Sequence, residues 1–388
     1  MREGRPLRLA AEGVVSGGRR RRGLDLLVRD GRIEGWVPRG AATPGYAVLA
    51  VEGDLAPGLV DIHVHGGFGV AAETMDADAL VSWRRRLWQR GVAAFVASLP
   101  SLAPEEVRER IGRLAPWVGR REAGLATLLG LHLEGPYLSP ARRGAHAPDR
   151  LRPPDEREML DWVDAHPGTV RMVTLAPELA GAREVARALA ERGVVVALGH
   201  TDADADAVEA AFAWGARHAT HLWNAMSPLG HRAPGAVGAF LAARGTTVEL
   251  ICDGHHLDPR VVALTVRLVG PHRVALVTDA MAAAGQGDGD YPLGGRTVRV
   301  QGGVARAPDG ALAGSTLVLD EAVGNVVAWG VAAAPWAHAM ASVVPARVVG
   351  AEGYGTVRPG TWADLVVLDG QGRVRPLMEP IGEEGSRG

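Results

Sequence analysis

Residues that commonly bind metal ions recur at the ends of short apolar runs in this chain. Six of them lie within two residues of the end of five different runs, namely His63, His65, Glu134, His200, His221 and Asp279. A random distribution of 13 histidines would not favour such positions. Imidazole and carboxylate groups are ligands of Zn²⁺, Fe²⁺ and similar ions. The pattern therefore predicts a divalent-metal site.

The spacing of the first two histidines supports this interpretation. His63 and His65 are two residues apart, so in a strand both side chains point to one face. Glu134 would add an oxygen ligand, and a bridging Glu134 would allow two ions to bind. A single histidine is more often a hydrogen-bonded core residue. That explanation does not account for five candidate ligands at successive run ends.

Asp279 ends the apolar run RVALVTD. A carboxyl group in that position is either ionised beside a cation or protonated and desolvated. We interpret Asp279 as a general base that takes a proton from metal-activated water and then gives it to a departing amine. The alternative is a helix N-cap.

The middle of the chain alternates such runs with helical patterns, for example AREVARALAERG and ADAVEAAFAWGAR. This alternation predicts a parallel sheet, and eight runs predict an α/β fold of the (β/α)₈, TIM-like barrel type. Active sites of such barrels lie at the carboxyl ends of the strands. The eight predicted strands are Leu59–His65, Val92–Leu99, Thr127–Glu134, Val170–Ala176, Val194–His200, His218–Leu222, Thr247–Cys252 and Val274–Asp279.

Both ends of the chain read as short strands with Gly-rich turns. We expect residues 1–56 and 344–388 to pair into one small β-sandwich domain, with residues 57–343 forming the barrel. A hairpin is expected at Thr297–Val304, and helices near Leu317–Trp329 and Trp336–Ser342 should cover the barrel.

Composition excludes several classes of function. The net charge of −2 gives no basic field for nucleic acid. The sequence contains no lysine, which excludes Schiff-base enzymes, Walker-A ATPases and metal sites bridged by a carbamylated lysine. Cys252 is the single cysteine and cannot form an internal disulfide. Neither a signal peptide nor a membrane span is evident, so we expect a cytoplasmic protein.

At these residues the sequence resembles the N-acetylglucosamine-6-phosphate deacetylases, which are amidohydrolases. The resemblance covers nearly the whole chain and rests on several segments in order. They are PGLVDIHVHGG, HLEGPYLSP with RRGAH, LGHTDA, THLWNAMSPLGHRAPG, DGHHLDP, LVTDAM, LAGSTL and PGTWADLVVLD.

The resemblance implies a role for each matching residue. Glu134, His200 and His221 would be the principal metal ligands, Asp279 the catalytic acid/base, and His146 the group that polarises the acetyl carbonyl. Phosphate or sugar-phosphate contacts would come from the following residues: Asn224, Ala225, His256, and Arg232 of a neighbouring subunit in a homodimer. Some relatives lack the first histidine pair and use one ion, whereas this chain keeps His63 and His65.

Two positions depart from the pattern of these deacetylases. Ala233 replaces the usual glutamate after Arg232, and His255 stands where an apolar residue is more common.

Three alternatives to deacetylation of N-acetylglucosamine 6-phosphate remain compatible with the sequence. The same chemistry could act on N-acetylgalactosamine 6-phosphate. The chain could also be a phosphate-independent amidohydrolase, against which the HRAPG and NAM segments argue. Finally, it could be a non-catalytic sugar-phosphate sensor, against which the retention of Asp279 argues.

Overall fold

The computed structural model describes residues 6–377, so the outer ends of both predicted terminal segments lie outside the described residues. The N-terminal part is a run of strands whose apolar positions, such as Leu9 and Leu26, are buried. Their bounds are β1 (Leu7–Ser16), β2 (Arg19–Arg22), β3 (Leu24–Arg29), β4 (Arg32–Pro38) and β5 (Ala47–Pro57).

A barrel follows directly. Its first strand, β6 (Leu59–Val64), is followed by a short ribbon of β7 (Gly66–Gly67) and β8 (Val70–Ala71). The seven remaining parallel strands are β9 (Val92–Leu99), β10 (Thr127–Glu134), β11 (Val170–Leu175), β12 (Val195–Leu198), β13 (His218–Ala219), β14 (Thr247–Ile251) and β15 (Val274–Val277). Each pairs with the next in chain order, and β6 pairs with β9. The predicted eight-stranded parallel barrel is confirmed.

The circle closes between its first and last strands. The backbone N–H of Asp279 donates to the carbonyl oxygen of His63 at 2.9 Å, and that of His65 donates to Ala280 at 2.8 Å. Closure therefore brings two of the predicted site segments, 216 residues apart in sequence, side by side.

Seven helices lie between the strands, and several begin at an aspartate. Asp76, Asp155, Asp204 and Asp258 each accept a hydrogen bond from a backbone N–H of the first turn, which stabilises the helix start. The helices are α1 (Ala77–Gln89), α2 (Pro104–Leu114), α3 (Glu156–Ala165), α4 (Ala182–Glu191), α5 (Ala205–Phe212), α6 (Gly235–Ala242) and α7 (Pro259–Val269). No helix within residues 6–377 is long and apolar enough to cross a membrane.

After the eighth barrel strand the chain adds an antiparallel sheet and three helices. The sheet contains the predicted hairpin and one further strand, with bounds β16 (Gly289–Leu293), β17 (Arg296–Gln301) and β18 (Val304–Arg306). The helices are α8 (Leu319–Ala328), α9 (Ala334–Met340) and α10 (Val343–Val348). The predicted helices near Leu317–Trp329 and Trp336–Ser342 correspond to α8 and α9.

The last two strands, β19 (Leu365–Leu368) and β20 (Val374–Pro376), return to the N-terminal strands. Strand β19 pairs antiparallel with β5, so both ends of the chain share one seven-stranded sheet. This sheet has its own apolar core, in which Leu9 and Leu55 pack with Leu365 and Val367. Pairing of the two ends follows the prediction, while the exact domain bounds remain a prediction.

Candidate active site

The carboxyl ends of the barrel strands surround a cavity of about 340 Å³. Nine of the eleven predicted site residues line it, namely His65, Glu134, His146, His200, His221, Asn224, Ala225, His256 and Asp279. His63 lies beneath the cavity and Arg232 lies outside it. The carboxyl ends of the barrel strands therefore bring most of the predicted residues to one small cavity.

One cluster of potential metal ligands consists of Glu134, His200 and His221. Oε1 of Glu134 lies 3.1 Å from Nε2 of His200 and 3.0 Å from Nε2 of His221. The two histidine Nε2 atoms are 3.0 Å apart. Nδ1–H of His200 donates to the carbonyl oxygen of Arg142 at 2.9 Å, which leaves the Nε2 lone pair facing the cluster.

A second cluster consists of His63, His65 and Asp279. Oδ1 of Asp279 lies 3.4 Å from Nε2 of His63 and 3.3 Å from Nε2 of His65. Nε2 of His63 is 3.3 Å from Nε2 of His65. Glu134 borders this cluster too, since its Oε2 lies 3.1 Å from Nε2 of His65. Its carboxylate therefore stands between the two clusters.

The spacing of these atoms fits divalent metal ions. Ligand atoms placed tetrahedrally at 2.0–2.1 Å from a zinc ion are about 3.3 Å from one another. The distances within both clusters, 3.0–3.4 Å, agree with that value. Imidazole nitrogens and carboxylate oxygens also suit Zn²⁺ and Fe²⁺. The chain thus has two candidate ligand sets, and the carboxylate of Glu134 lies next to both.

Unusual backbone conformations direct three of these side chains into the cavity. His200, His221 and Asp279 have φ of 48°, 30° and 47°, in the left-handed region that non-glycine residues rarely adopt. Each follows the last residue of its strand by two.

Electrostatics keep the two acidic groups ionised. Burial raises the pKa of Glu134, but the charge of His63 and the contacts of the carboxylate with His146, His200 and His221 outweigh burial and hold that pKa well below its usual value. Burial likewise raises the pKa of Asp279, but His63 and His65 outweigh it. Burial lowers the pKa of His200 to about 4, despite opposition from Glu134. A neutral His200 and ionised carboxylates are the forms that bind metal ions.

His146 enters the cavity from the loop after β10. Its Nδ1 accepts a hydrogen bond from the backbone N–H of Ser101 at 3.2 Å, so its proton resides on Nε2. That Nε2 lies 3.3 Å from Oε2 of Glu134. His146 therefore presents a hydrogen-bond donor to the cavity.

The predicted phosphate contacts occupy another side of the cavity. Asn224 and Ala225 follow His221 on the same loop, and Ala225 also has a positive φ of 50°. Nδ1 of His256 lies 2.7 Å from Oδ2 of Asp253, whose Oδ1 accepts the backbone N–H of both His255 and His256. Asp253 thus fixes the His256 ring, while the His255 side chain is exposed.

Arg232 does not approach the cavity of its own chain. It lies in an exposed loop, and none of the residues from 6 to 377 forms a hydrogen bond or an ion pair with its guanidinium. This position agrees with the expectation of a role in another subunit but does not test it.

Two buried carboxyl groups next to the site were missed by the sequence analysis. Glu249 is fully buried, and its Oε2 lies 2.9 Å from Nδ1 of His63. Asp61 accepts a hydrogen bond from the hydroxyl of Thr278 at 2.6 Å, and burial raises its pKa to about 7. The only signal in the sequence was an acidic residue inside an otherwise apolar strand, as in TVELI.

Comparison with protein families gives an independent result. Residues 55–385 match the model described as the amidohydrolase family. N-acetylglucosamine-6-phosphate deacetylase of Bacillus subtilis (strain 168) is 41% identical over 271 residues, covering 69% of this chain and 68% of the relative. N-acetylgalactosamine-6-phosphate deacetylase of Escherichia coli O157:H7 is 40% identical over 317 residues, covering 81% and 83%.

A solved structure extends the comparison to nearly the whole chain. It is a variant of N-acetyl-D-glucosamine-6-phosphate deacetylase from Mycobacterium smegmatis in complex with N-acetyl-D-glucosamine-6-phosphate. The TM-score is 0.88 at 37% identity, covering 96% of this chain and 97% of the other. On the family match and these relatives together, the chain belongs to the amidohydrolase family.

Proposed function

We propose that this chain hydrolyses N-acetylglucosamine 6-phosphate to glucosamine 6-phosphate and acetate. The observation that carries the proposal is the arrangement around Glu134. Two metal-ligand clusters, the carboxylate of Asp279 and the Nε2 donor of His146 face one cavity of about 340 Å³. That volume lies within the range of small-molecule sites. The named relatives supply the substrate class.

The metal cofactor is one or two divalent ions. Glu134, His200 and His221 would hold the first, and His63, His65 and Asp279, with Glu134 as a bridge, would hold the second. Zn²⁺ and Fe²⁺ suit these donors. When bound, such an ion activates water and polarises a carbonyl group as a Lewis acid.

The acid/base steps fall to Asp279. Its ionised carboxylate accepts a proton from water as the hydroxyl group adds to the acetyl carbon. The same proton then passes to the sugar nitrogen as the C–N bond breaks, so that amine and acetate leave. Nε2–H of His146 donates a hydrogen bond to the carbonyl oxygen, where negative charge develops.

Phosphate recognition is proposed for Asn224, Ala225 and His256 of one subunit and for Arg232 of its partner in a homodimer. A guanidinium forms paired hydrogen bonds with phosphate oxygens, which suits Arg232 to that role in a chain without lysine. The exposure of Arg232 outside its own cavity supports this proposal. We also propose a cytoplasmic location, where the single cysteine would stay reduced.

Acetate release from metal-loaded protein tests the function. N-acetylglucosamine 6-phosphate, the unphosphorylated sugar and N-acetylgalactosamine 6-phosphate should be compared, with Asp279→Asn as the inactive control. We expect fast release from the first substrate and slow release from the unphosphorylated sugar. Equal rates with and without phosphate would support a phosphate-independent amidohydrolase. Tight binding of the sugar phosphate without any release would indicate a sensor.

The galacto epimer is the second candidate, because the Escherichia coli O157:H7 relative named for that substrate is 40% identical. The two sugars differ only in the orientation of one hydroxyl group. A higher kcat/KM for N-acetylgalactosamine 6-phosphate would transfer the proposal to that sugar without changing the roles of the site residues.

A further inference from the structure

We infer that Glu249 is a positioning residue that prepares His63 to bind the second metal ion. The inference rests on the proposed ligand roles and extends them to a residue that does not face the cavity. Glu249 lies on β14, deep in the barrel, and none of its surface is exposed. A carboxylate removed from water needs hydrogen-bond donors around it. The donors around Glu249 therefore indicate its role.

Three donors converge on this carboxylate. Oε2 accepts the Nδ1–H of His63 at 2.9 Å and the backbone N–H of His221 at 3.0 Å. Oε1 lies 3.0 Å from Nε2 of His218, whose Nδ1 is 2.6 Å from the hydroxyl of Thr247. One buried side chain therefore contacts a member of each metal-ligand cluster.

The contact with His63 decides which nitrogen of that ring can bind a metal ion. When His63 is neutral, the form that binds a metal ion, the proton held on Nδ1 by Glu249 leaves the lone pair on Nε2. That Nε2 faces Nε2 of His65 at 3.3 Å and Oδ1 of Asp279 at 3.4 Å. A hydrogen bond that a metal-bound histidine donates to a carboxylate fixes the tautomer of the ring and increases its basicity. Glu249 also adds a negative charge beneath the cations.

The contact with His221 acts on the backbone instead. His221 has φ of 30°, and its N–H is held by Oε2 of Glu249. This contact fixes the backbone of His221 but does not select the tautomer of its ring. We therefore expect Glu249 to matter more for the second ion than for the first.

Metal content and affinity, measured without turnover, test the inference. Metal-free protein is reloaded with Zn²⁺, desalted and analysed for zinc per chain, and competition with a chelator gives the affinities. The parent should bind two equivalents. Glu249→Met should weaken the second by about 10- to 100-fold, the usual effect of removing such a partner. Thr127→Val is the matched control, because it removes a buried barrel-strand hydroxyl that forms no hydrogen bond within residues 6–377, and it should behave like the parent.

Two further variants separate positioning from a loss of folding. Glu249→Gln keeps one acceptor oxygen for His63, because the His218 ring can take the other tautomer beside the amide. It should bind the second ion with an affinity between those of the parent and Glu249→Met. Thermal melting shows whether Glu249→Met folds. If it does not, the zinc affinity of Glu249→Gln alone tests the inference. In a His63→Gln background, Glu249→Met should cause little additional loss of zinc.

Several results would overturn the inference. Glu249→Met and Glu249→Gln could both bind two ions as tightly as the parent, or Glu249→Met could lose as much zinc in the His63→Gln background as alone. A parent that binds one equivalent and is unaffected by His63→Gln would also refute it. Acetate release by the same samples shows separately whether the proposed deacetylation stands.

Discussion

The sharpest test of the proposed mechanism is Asp279→Asn. The amide has nearly the shape of the carboxylate, and the backbone contacts at this position are unaffected by the change. They are the 2.9 Å bond from the Asp279 N–H to His63 and the 2.7 Å bond from the Ser315 N–H to the Asp279 carbonyl oxygen. What is lost is a group that can accept a proton and return it, together with an anionic ligand of the proposed second ion.

The expected loss follows from this chemistry. General acid–base catalysis contributes about 10²- to 10⁴-fold to rates, or roughly 3 to 5 kcal/mol of activation free energy. We therefore expect kcat for acetate release to fall by about 10²- to 10⁴-fold, with little change in KM, because Asp279 makes its main contribution in the transition state. The ion held by Glu134, His200 and His221 should remain.

The assay compares acetate release at saturating N-acetylglucosamine 6-phosphate, with zinc per chain and melting temperature measured on the same samples. Asp320→Asn is a matched control, since Asp320 pairs with Arg90 on the outside of the barrel at 2.7 Å. Turnover within about tenfold of the parent, well short of the loss expected for an acid/base residue, would refute the assignment of Asp279.

Three further predictions address recognition and stability. His256→Asn should raise KM for the phosphorylated sugar while kcat and the rate with the unphosphorylated sugar change little; a drop in kcat alone would contradict the phosphate role. Arg232→Ala should raise KM in the same way. If Arg232 serves the partner's site, mixing this variant with Asp279→Asn should restore part of the activity. A mixture no more active than the separate variants would place Arg232 elsewhere. His338 accepts a proton less readily in the folded protein, because burial lowers its pKa from the ordinary 6.5 to about 4. A hydrogen bond to the backbone of Pro57 opposes this shift only in part. This shift contributes roughly 3 kcal/mol at most to the free energy of unfolding, and the contribution should be present above pH 6.5 and lost as pH falls towards 4. His338→Gln should therefore flatten this part of the plot of unfolding free energy against pH, measured by urea unfolding. Identical plots for the parent and the variant would contradict the prediction.

Local patterns were sufficient to predict the barrel and the convergence of most candidate residues on one cavity. Apolar runs of strand length, each followed by a helical pattern, gave β9 and β10 with their observed bounds. Three predicted strands were too long at their carboxyl ends by two or three residues, because His200, His221 and Asp279 leave the strand in left-handed conformations. These three residues follow their strands, whereas His63 and Glu134 lie within β6 and β10.

The contacts of Glu249 could not be predicted in this way. His63 and Glu249 are 186 residues apart and meet only because the barrel closes. Within its own strand, Glu249 is one acidic residue among apolar neighbours, and nothing nearby identifies its partner. Strand β16 was also missed, since Gly289, Asp290 and Pro292 are unfavourable in strands and gain their pairing only from β17.

The left-handed residues at the strand ends imply that variants of this enzyme can gain stability by losing function. Each such conformation costs on the order of 1–3 kcal/mol for a non-glycine residue. Glycine adopts it freely, so His200→Gly or Asp279→Gly would relieve backbone strain while removing a ligand or the acid/base. Variants that keep the barrel could thus exchange catalysis for stability, and selection for catalysis opposes that exchange at these positions.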